Sequence, residues 1–424
     1  MGEGTEMDAG ERRVHEHNQL TRRYFFQLGG AAVAAWSVTP AAAGGADVAP
    51  QLKEAIAKLE YLTPLERAFI LDKGKAGVAK LPAEKLREVG LVPETWSLEV
   101  VPDPAGNSVV EQPLSRELGN ALSWDRLMSL AEKHAVRFLH VCTCTNGSNP
   151  YHMSLWEGVP LREVIWLTRP KENVRRVYYE SYHNENPPFK SSLALGQILE
   201  TPPGMMPVIL AFRMNGRILP ASHGGPVRMI VPGAYGSKSI KWIRRIVLTS
   251  EFKANDTDAD PPFGNDPENA LKTRARFINA PKEISPGQPA AVTGMAQVGV
   301  SGLDRVQYCV RSQKDPWPAD DPYRLKADWK DAAILPPPAD WGGGLPGGKL
   351  PATMQTDPAT GKPLQWPLPY TIVHWAALLP SLDPGSYDLC CRTIDKNGIA
   401  QPLPRTLPRT GFNEIHTVTL VVRP

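Results

Sequence analysis

The N-terminal half of the chain mixes two hydrophobic spacings. Between about 46 and 90, apolar residues recur every three or four positions, as in LKEAIAKLEYL, which predicts short helices. Trp96 to Val101 alternates apolar and polar residues, which predicts a strand. A helix is predicted from Trp124 to Lys133, with Ser123 as its N-cap, because a serine hydroxyl can accept a hydrogen bond from a free amide of the first turn. Helices and strands therefore share one domain.

Short apolar runs bounded by turn residues predict further strands in the same region. They cover Val136–Cys142, Val177–Ser181, Val208–Met214, Pro226–Val231 and Ile243–Thr249. The pair Asn215-Gly216 predicts a hairpin, since both residues tolerate the positive φ angles of a type I′ turn. The sequence thus predicts an α+β domain over residues 46–255.

The C-terminal part has a different pattern. An acidic, proline-containing stretch at about 251–272 lacks periodicity and predicts a connection between domains. Beyond it the strands are short and turns are frequent, which predicts a β-sandwich over 273–424. The clearest strands are Ala290–Val298, Arg305–Arg311, Ser386–Ile394 and His416–Val422. A stretch at about 314–370, rich in Pro, Gly and Trp, is predicted as a loop insertion packed on the surface.

The first 45 residues resemble a twin-arginine export signal. Arg22-Arg23 precedes the apolar run AAVAAWSV and the small residues Ala41 to Ala43. That run is too short to span a membrane, and no other stretch reaches about 18 apolar residues. The sequence therefore predicts a signal over 1–45 and a periplasmic protein without a membrane span. The alternative is an N-terminal amphipathic helix with an incidental arginine pair.

Composition and cysteine usage exclude several classes. With 42% hydrophobic and 21% charged residues the chain reads as a globular protein, and a net charge of +3 is too small to indicate nucleic-acid binding. None of the five cysteines lies in a CxxC motif, which argues against a zinc ribbon and a c-type haem, and the count is too low for a disulfide scaffold. Cys309, Cys390 and Cys391 lie in strand-like stretches and are expected to be core thiols.

Three segments carry candidate chemistry. Cys142 and Cys144 flank Thr143 at a strand end, where a thiolate could bind a metal; the alternative is a pair of buried small thiols. The second is the run from His223 to Arg228, where two glycines adjoin a histidine and an arginine suited to phosphate. The alternative there is a tight turn with a surface histidine and a paired arginine.

The third segment runs from Pro232 to Trp242. Its small residues, amides and two lysines predict an anion-binding loop, although the spacing of a P-loop is absent. The alternative is a solvated basic loop. The groups expected to bind the anion are Gly236, Ser237, Lys238, Ser239 and Lys241.

Taken in order, these segments resemble the molybdopterin-binding domain of the sulfite oxidase family. The similarity covers about residues 90–250 and is most specific in MNGRILP, HGGPVR, VPG and KW, between Met214 and Trp242. SLWEGVPL, from Ser154 to Leu161, is similar to a family element that follows the metal-ligating cysteine. Residues from about 273 resemble the family's immunoglobulin-like dimerisation domain, notably RTIDKNGIAQP at Arg392 to Pro402.

The resemblance implies a molybdenum–pyranopterin cofactor whose metal is bound by one cysteine. His223, Arg228, Lys241 and the Gly236 to Ser239 loop would contact the pterin or its phosphate. It also implies two-electron oxo transfer on a small substrate, sulfite or a related sulfur compound. Electrons would pass to a separate protein such as a cytochrome c, because no haem domain precedes the core, and the dimerisation domain implies a homodimer.

The cysteine ligand and the substrate are less sharply defined. In the family a histidine often lies eight residues before the metal-ligating cysteine, and His134 has this spacing to Cys142. The sequence spacing to Trp156 also fits Cys142 slightly better than Cys144. Gly147 and Ser148 stand where the family has arginines that bind the substrate oxyanion, so sulfite itself is in question. Tyr151, His152 and His183 are candidate hydrogen-bond donors near the metal; the alternative for each is a structural polar residue. The rival interpretation is a cofactor-free exported binding protein with a degenerate oxidoreductase domain.

Overall fold

The computed structural model describes most of the chain outside its N-terminal leader. The residues described are 50–63, 68, 77–144, 150–182, 188–251, 270–339, 341, 345, 348–402, 411 and 413–423. The predicted export signal, most of the predicted interdomain connection, the Gly147-Ser148 pair and His183 lie outside them, as does the side chain of Tyr151.

The chain divides into two compact units. The first comprises the described parts of residues 62–271 and 337–366, and the second those of 1–61, 272–336 and 367–424. Residues 337–366, which the sequence pattern assigned to an insertion of the C-terminal domain, thus cluster with the first unit.

The first unit contains a five-stranded sheet. Its order is β2-β1-β10-β5-β6, with β1 and β10 parallel and the other neighbours antiparallel. The strands are β1 (Ser97–Pro102), β2 (Leu122–Ser123), β5 (Arg176–Ser181), β6 (Lys190–Ala194) and β10 (Ile243–Thr249). Leu98 and Val100 of β1 are fully buried because they point to the same face of the pleat.

A second five-stranded sheet in this unit has the order β3-β4-β7-β8, with β9 paired to β7. Its strands are β3 (Val136–Thr143), β4 (Pro150–Pro160), β7 (Ile209–Met214), β8 (Arg217–Ile218) and β9 (Arg228–Ile230). Asn215 and Gly216 both have positive φ, as a type I′ hairpin requires, so the predicted turn is confirmed. Between β4 and β7 the register shifts after Glu157, which leaves Phe212 as an extra residue on β7.

Helices complete the core of this unit. They are α2 (Ala83–Glu88), α3 (Trp124–His134), α4 (Leu161–Leu167) and α5 (Leu195–Leu199). The Ser123 hydroxyl accepts a hydrogen bond from the Arg126 amide at 3.3 Å, which confirms the predicted N-cap of α3. One apolar core joins Leu127 of α3 and Ile165 of α4 to Leu98 of the first sheet and Leu210 of the second.

The second unit is built on an eight-stranded sheet of order β11-β13-β16-β15-β14-β17-β18-β12. Its strands are β11 (Arg274–Asn279), β12 (Glu283–Ile284), β13 (Ala290–Gln297), β14 (Arg305–Ser312), β15 (Lys330–Ile334), β16 (Ile372–Leu379), β17 (Gly385–Ile394) and β18 (His416–Val422). One described helix, α1 (Pro50–Ala57), also belongs to this unit. The strand β15 lies inside the stretch predicted to be a loop.

The mixture of helices and strands confirms the predicted α+β class. The elements that the sequence pattern did not predict include β4, β6, β11, β16, α4 and α5. The run SLWEGVP in β4 is buried on both faces, so its sequence shows no alternation. Within the described residues, no helix combines the length and the apolarity needed to cross a membrane.

Candidate active site

Residues that could bind a metal or an anion lie together on one face of the second sheet. His140 and Cys142 are two positions apart on β3 and therefore point the same way. Their partners on β4 are Ser154 and His152, and side chains directly opposite each other share a face. We call the set His140, Cys142, His152, Ser154, Trp156 and Arg228 the Cys142 face.

Arg228 reaches this face through two antiparallel pairings. It lies opposite Ala211 on β7, which in turn lies opposite Gly158 on β4, two residues after Trp156. Its guanidinium stands 5.2 Å from the centre of the Trp156 ring. It donates to the carbonyl oxygens of His223 at 3.0 Å and Ser239 at 2.6 Å. The arginine thus ties two sequence segments to the sheet.

The guanidinium of Arg228 is buried, and the groups around it only partly balance its positive charge. The side chain is 3% exposed, and burial lowers the pKa of the guanidinium, while the neighbouring Cys142 thiol acts in the opposite direction. Among the described residues, its contacts are carbonyl oxygens, the thiol and an aromatic ring, and none is a carboxylate. Its Nε atom is buried without a hydrogen-bond partner in the described part of the chain. A buried cation in such surroundings favours an anion close by.

The histidines of the face stay neutral. Burial, reinforced by the charge of Arg228, lowers the pKa of His140 to about 3. Burial also places the pKa of His152 well below its ordinary value, and Arg228 and His223 add to this effect. The His152 ring lies 6.2 Å from the ring of His223, and its Nδ1 is 3.1 Å from the Ser154 hydroxyl. At neutral pH these imidazoles supply hydrogen-bonding groups and no charge.

The two glycines after His223 serve packing within the chain. A Cβ on Gly225 would lie 1.8 Å from the carbonyl oxygen of Leu219, and one on Gly224 would lie 2.7 Å from the Lys241 side chain. Gly224 also has a φ of 98°, which favours glycine. The sequence pattern suggested that these glycines let the backbone approach a ligand. In the structure they let the turn approach Leu219 and Lys241.

The polar groups of the predicted anion-binding loop mostly hydrogen-bond to other parts of the chain. The Gly236 amide donates to the carbonyl of Thr143 at 2.8 Å, and the Ser239 hydroxyl accepts from the Val231 amide at 2.9 Å. The Lys238 ammonium is buried and donates to the Ser192 carbonyl at 2.6 Å. The Lys241 ammonium donates to the Ser222 carbonyl at 2.9 Å, while Ser237 is half-buried.

The structure therefore gathers only part of the predicted set. Cys142, His223 and Arg228 converge at the Cys142 face, and Ser239 and Lys241 adjoin them. Lys238 contacts the first sheet through Ser192, and Gly236 abuts the strand end that carries the cysteines. Cys144 is half-buried, just beyond β3.

Sequence reasoning missed His140 and the role of Trp156 beside Arg228. His140 had a usable signal, since it lies two positions before Cys142 on a predicted strand and so must share its face. Trp156 became a neighbour of Arg228 only through the pairing of three strands, which no local pattern displays.

These residues suit a cofactor that combines a thiophilic metal with an anionic group. Cys142 is half-buried at a strand end, so its sulfur can reach a ligand. The orphaned Nε of Arg228 supplies a donor beside it. A molybdenum bound by cysteine, carried on a pterin with a phosphate, fits this donor set.

Comparison with known proteins agrees with this assignment. Residues 86–256 match the model of the oxidoreductase molybdopterin binding domain. The NADPH nitrate reductase of Neurospora crassa is 30% identical over 209 residues, which cover 45% of this chain and 20% of that protein. The inducible NADH nitrate reductase 1 of Glycine max is 38% identical over 100 residues, covering 23% of this chain and 11% of that one. The chain thus spans a fifth or less of these relatives.

One solved structure covers nearly all of the chain. The sulfane dehydrogenase SoxCD from Paracoccus pantotrophus has a TM-score of 0.54 at 16% identity and covers 92% of this chain and 98% of that chain. The fold is therefore of the sulfite oxidase type. Residues 86–256 therefore form an oxidoreductase molybdopterin binding domain, whose cofactor is a molybdenum–pterin. This finding favours an enzyme over the cofactor-free binding protein.

Proposed function

We propose that the chain is an exported molybdenum-cofactor oxidoreductase that acts by two-electron oxo transfer on a small oxyanion, with sulfite or a related sulfur compound as the first candidate. The observation that carries the proposal is the Cys142 face, where one accessible sulfur adjoins a buried arginine that lacks a carboxylate partner among the described residues. When bound, the cofactor supplies the redox change and the transferable oxygen.

The chain's own residues bind and orient that cofactor. Cys142 is the metal ligand, and Arg228 holds an anionic part of the pterin cofactor through its free Nε. The Ser239 carbonyl keeps Arg228 in place, and His223 and Lys241, which adjoin it, would contact the same anion. Neutral His152, opposite Cys142 in the sheet, offers a hydrogen bond without adding charge. The match to the family and the geometry of this face support these roles.

Two observations point to different substrates. A sulfur compound is supported by the fold shared with a sulfane dehydrogenase over 92% of the chain. Nitrate is supported by nitrate reductases that are 30% to 38% identical over shorter stretches. We place the sulfur compound first, because that similarity extends over both units of the chain.

The test begins with protein purified from a host that makes the cofactor. We expect about one molybdenum and one pterin per chain. We also expect sulfite or thiosulfate to reduce an artificial acceptor faster than nitrate oxidises a reduced dye. Faster nitrate turnover would select the second substrate. Intact protein free of molybdenum would overturn the proposal.

Export, assembly and electron transfer complete the proposal. Arg22-Arg23 supports transport to the periplasm, and replacing both with lysine should leave the protein in the cytoplasm, as cell fractionation can show.

We propose that the second unit is the immunoglobulin-like dimerisation domain of a homodimer, which is supported by its eight-stranded sheet and by the RTIDKNGIAQP motif. A separate protein such as a cytochrome c would accept the electrons; the SoxCD similarity supports a partner of this kind.

A further inference from the structure

Two cysteines face each other across adjacent strands of the second unit. Cys309 of β14 lies directly opposite Cys390 of β17 in an antiparallel ladder. Residues opposed in this way have Cα atoms about 4.5–5.5 Å apart, and disulfides bridge Cα distances of about 4.4–6.8 Å. Each thiol also influences the pKa of the other, which indicates that the two side chains are neighbours. The backbone therefore already meets the distance requirement for a disulfide.

The pair lies on a polar face of the sheet. Gln307 and Arg311 flank Cys309 on β14, and Asp388 and Arg392 flank Cys390 on β17, each two positions away. Cys391 points to the opposite face, is fully buried, and burial raises the pKa of its thiol well above the ordinary value. Two neighbouring cysteines of one strand thus occupy contrasting environments.

Arg324 supplies a cation to one of the two sulfurs. Its guanidinium donates to the Cys390 sulfur at 2.7 Å and to the Thr417 hydroxyl at 2.8 Å, and it stacks on the Trp317 ring at 4.2 Å. Among the described residues it has no carboxylate within ion-pair distance. Hydrogen bonding from Cys309, together with Arg324, lowers the pKa of Cys390, whereas the hydrogen bond to Cys390 and burial raise the pKa of Cys309. Cys390 is therefore the sulfur that ionises first.

A surface segment covers this pair of cysteines. Residues 313–329 run past the face and are held by side-chain contacts. The Trp317 indole donates to Asp388 at 2.8 Å, and the Trp329 indole donates to the Arg324 carbonyl at 2.7 Å. Cys309 and Cys390 are 2% and 0% exposed, so a reagent reaches them when this segment lifts.

We propose that Cys309 and Cys390 form a redox pair which peroxides oxidise to a disulfide, with Cys390 reacting first. The Cys390 thiolate attacks one oxygen of hydrogen peroxide, the O–O bond breaks, and protonation releases water and leaves a sulfenic acid. The Cys309 thiol then attacks the Cys390 sulfur, the S–O bond breaks, and a second water leaves as the S–S bond forms. Peroxide is reduced by two electrons, and the thiol pair is oxidised by two.

The experiment uses the intact, cofactor-loaded protein. Fully reduced protein is titrated with hydrogen peroxide, quenched by alkylation under denaturing conditions, and mapped by mass spectrometry without reductant. We expect a linked peptide pair containing Cys309 and Cys390 in the unmodified chain and in the matched control Cys391→Ser. In Cys309→Ser we expect a sulfenic acid on Cys390 that dimedone traps.

A second pair of variants tests the role of the arginine. Removing the charge in Arg324→Gln should slow formation of the link by about tenfold, which is the loss of thiolate that one pKa unit gives below the thiol pKa. Arg311→Gln is the control, because Arg311 contacts the same Trp317 ring but hydrogen-bonds to the Asp315 and Pro316 carbonyls. It should change the rate by less than about twofold.

Any of three results would overturn the proposal. One is that Cys309 and Cys390 remain alkylatable in the unmodified protein while Cys142 or Cys144 is oxidised. The second is a link from Cys390 to Cys391, and the third is no difference in rate between the Arg324 and Arg311 variants. The mapping of unmodified protein needs no variant to fold.

Discussion

The two units each place a cysteine beside an arginine that stacks on a tryptophan. In the first, Cys142 adjoins Arg228, whose guanidinium lies over Trp156; in the second, Cys390 adjoins Arg324, whose guanidinium lies over Trp317. Neither guanidinium has a carboxylate partner within the described residues. The same local chemistry thus recurs in two unrelated sheets.

What separates the two sites is the residue opposite the cysteine. Across the ladder from Cys142 stands His152, which burial keeps neutral, whereas across from Cys390 stands a second thiol. A sulfur that faces an imidazole can serve as a metal ligand, while two opposed sulfurs can exchange electrons with each other. Because both sites share the arginine, the cross-strand partner is what distinguishes the two proposed roles.

The largest effect is expected from removing the sulfur of Cys142. Cys142→Ser should lower activity by more than about a hundredfold and reduce bound molybdenum, because loss of a metal ligand exceeds the 10- to 100-fold cost of losing a neighbour of one. Cys144→Ser is the matched control and should keep both. Activity and elemental analysis are the measurements. An inactive Cys144 variant beside an active Cys142 variant would reverse the assignment.

Gly225→Ala should destabilise the turn that follows His223 in the first site and leave the second site intact. Its Cβ would meet the Leu219 carbonyl at 1.8 Å, so we expect a loss of about 2–5 kcal/mol in the free energy of unfolding of the first unit. Gly236→Ala, whose Cβ would lie 3.2 Å from the Thr143 carbonyl, should cost less than about 1 kcal/mol. Urea unfolding measures both, and equal losses would contradict the prediction.

Acid should weaken both units through buried neutral histidines. Burial lowers the pKa of His374 in the second unit to about 4, and burial with Arg228 lowers that of His140 in the first to about 3. The unfolded chain binds these protons near pH 6.5, so stability is fully present above that pH and falls as the pH drops toward the folded values. We expect losses on the order of 1–3 kcal/mol between pH 7 and 4.

His374→Phe separates this effect from other acid effects. The variant removes the buried imidazole, so the pH dependence of the second unit should flatten, while that of the first unit should not change. Thermal unfolding at several pH values is the measurement. An unchanged slope in the second unit would mean that other groups cause its acid sensitivity.

The smallest effect is expected from a change at Trp317, which lies beside the pair of Cys309 and Cys390. Trp317→Phe retains a ring under Arg324 and loses the indole hydrogen bond to Asp388. We expect a loss of about 1 kcal/mol in the free energy of unfolding. Chemical denaturation checks the value, and a loss above about 3 kcal/mol would show that the residue belongs to the core.

The sequence predicted the first site far better than the second. A short apolar run bounded by turn residues located β3, and the HGGPVR run marked His223 and Arg228. Cys142, His152 and Arg228 of the Cys142 face were therefore within reach of local patterns, whereas His140 and the role of Trp156 were not recognised. The proximity of Cys309 and Cys390 depends on the register of β14 against β17, and that of Arg324 on a loop conformation with a φ of 54°. No periodicity encodes a long-range register, which is why all three cysteines of the second unit were expected to be equivalent core thiols.

The hydrogen bond from the Gly236 amide to the Thr143 carbonyl has a consequence for which sulfur is presented. Cys142 and Cys144 differ by one period of the pleat, so sliding β3 two residues along β4 would exchange one sulfur for the other without turning any side chain to the wrong face. The 2.8 Å bond fixes the peptide between them and opposes that slip. The loop that carries Gly236 thereby holds the strand end in the register that presents Cys142, which is the cysteine we propose as the metal ligand.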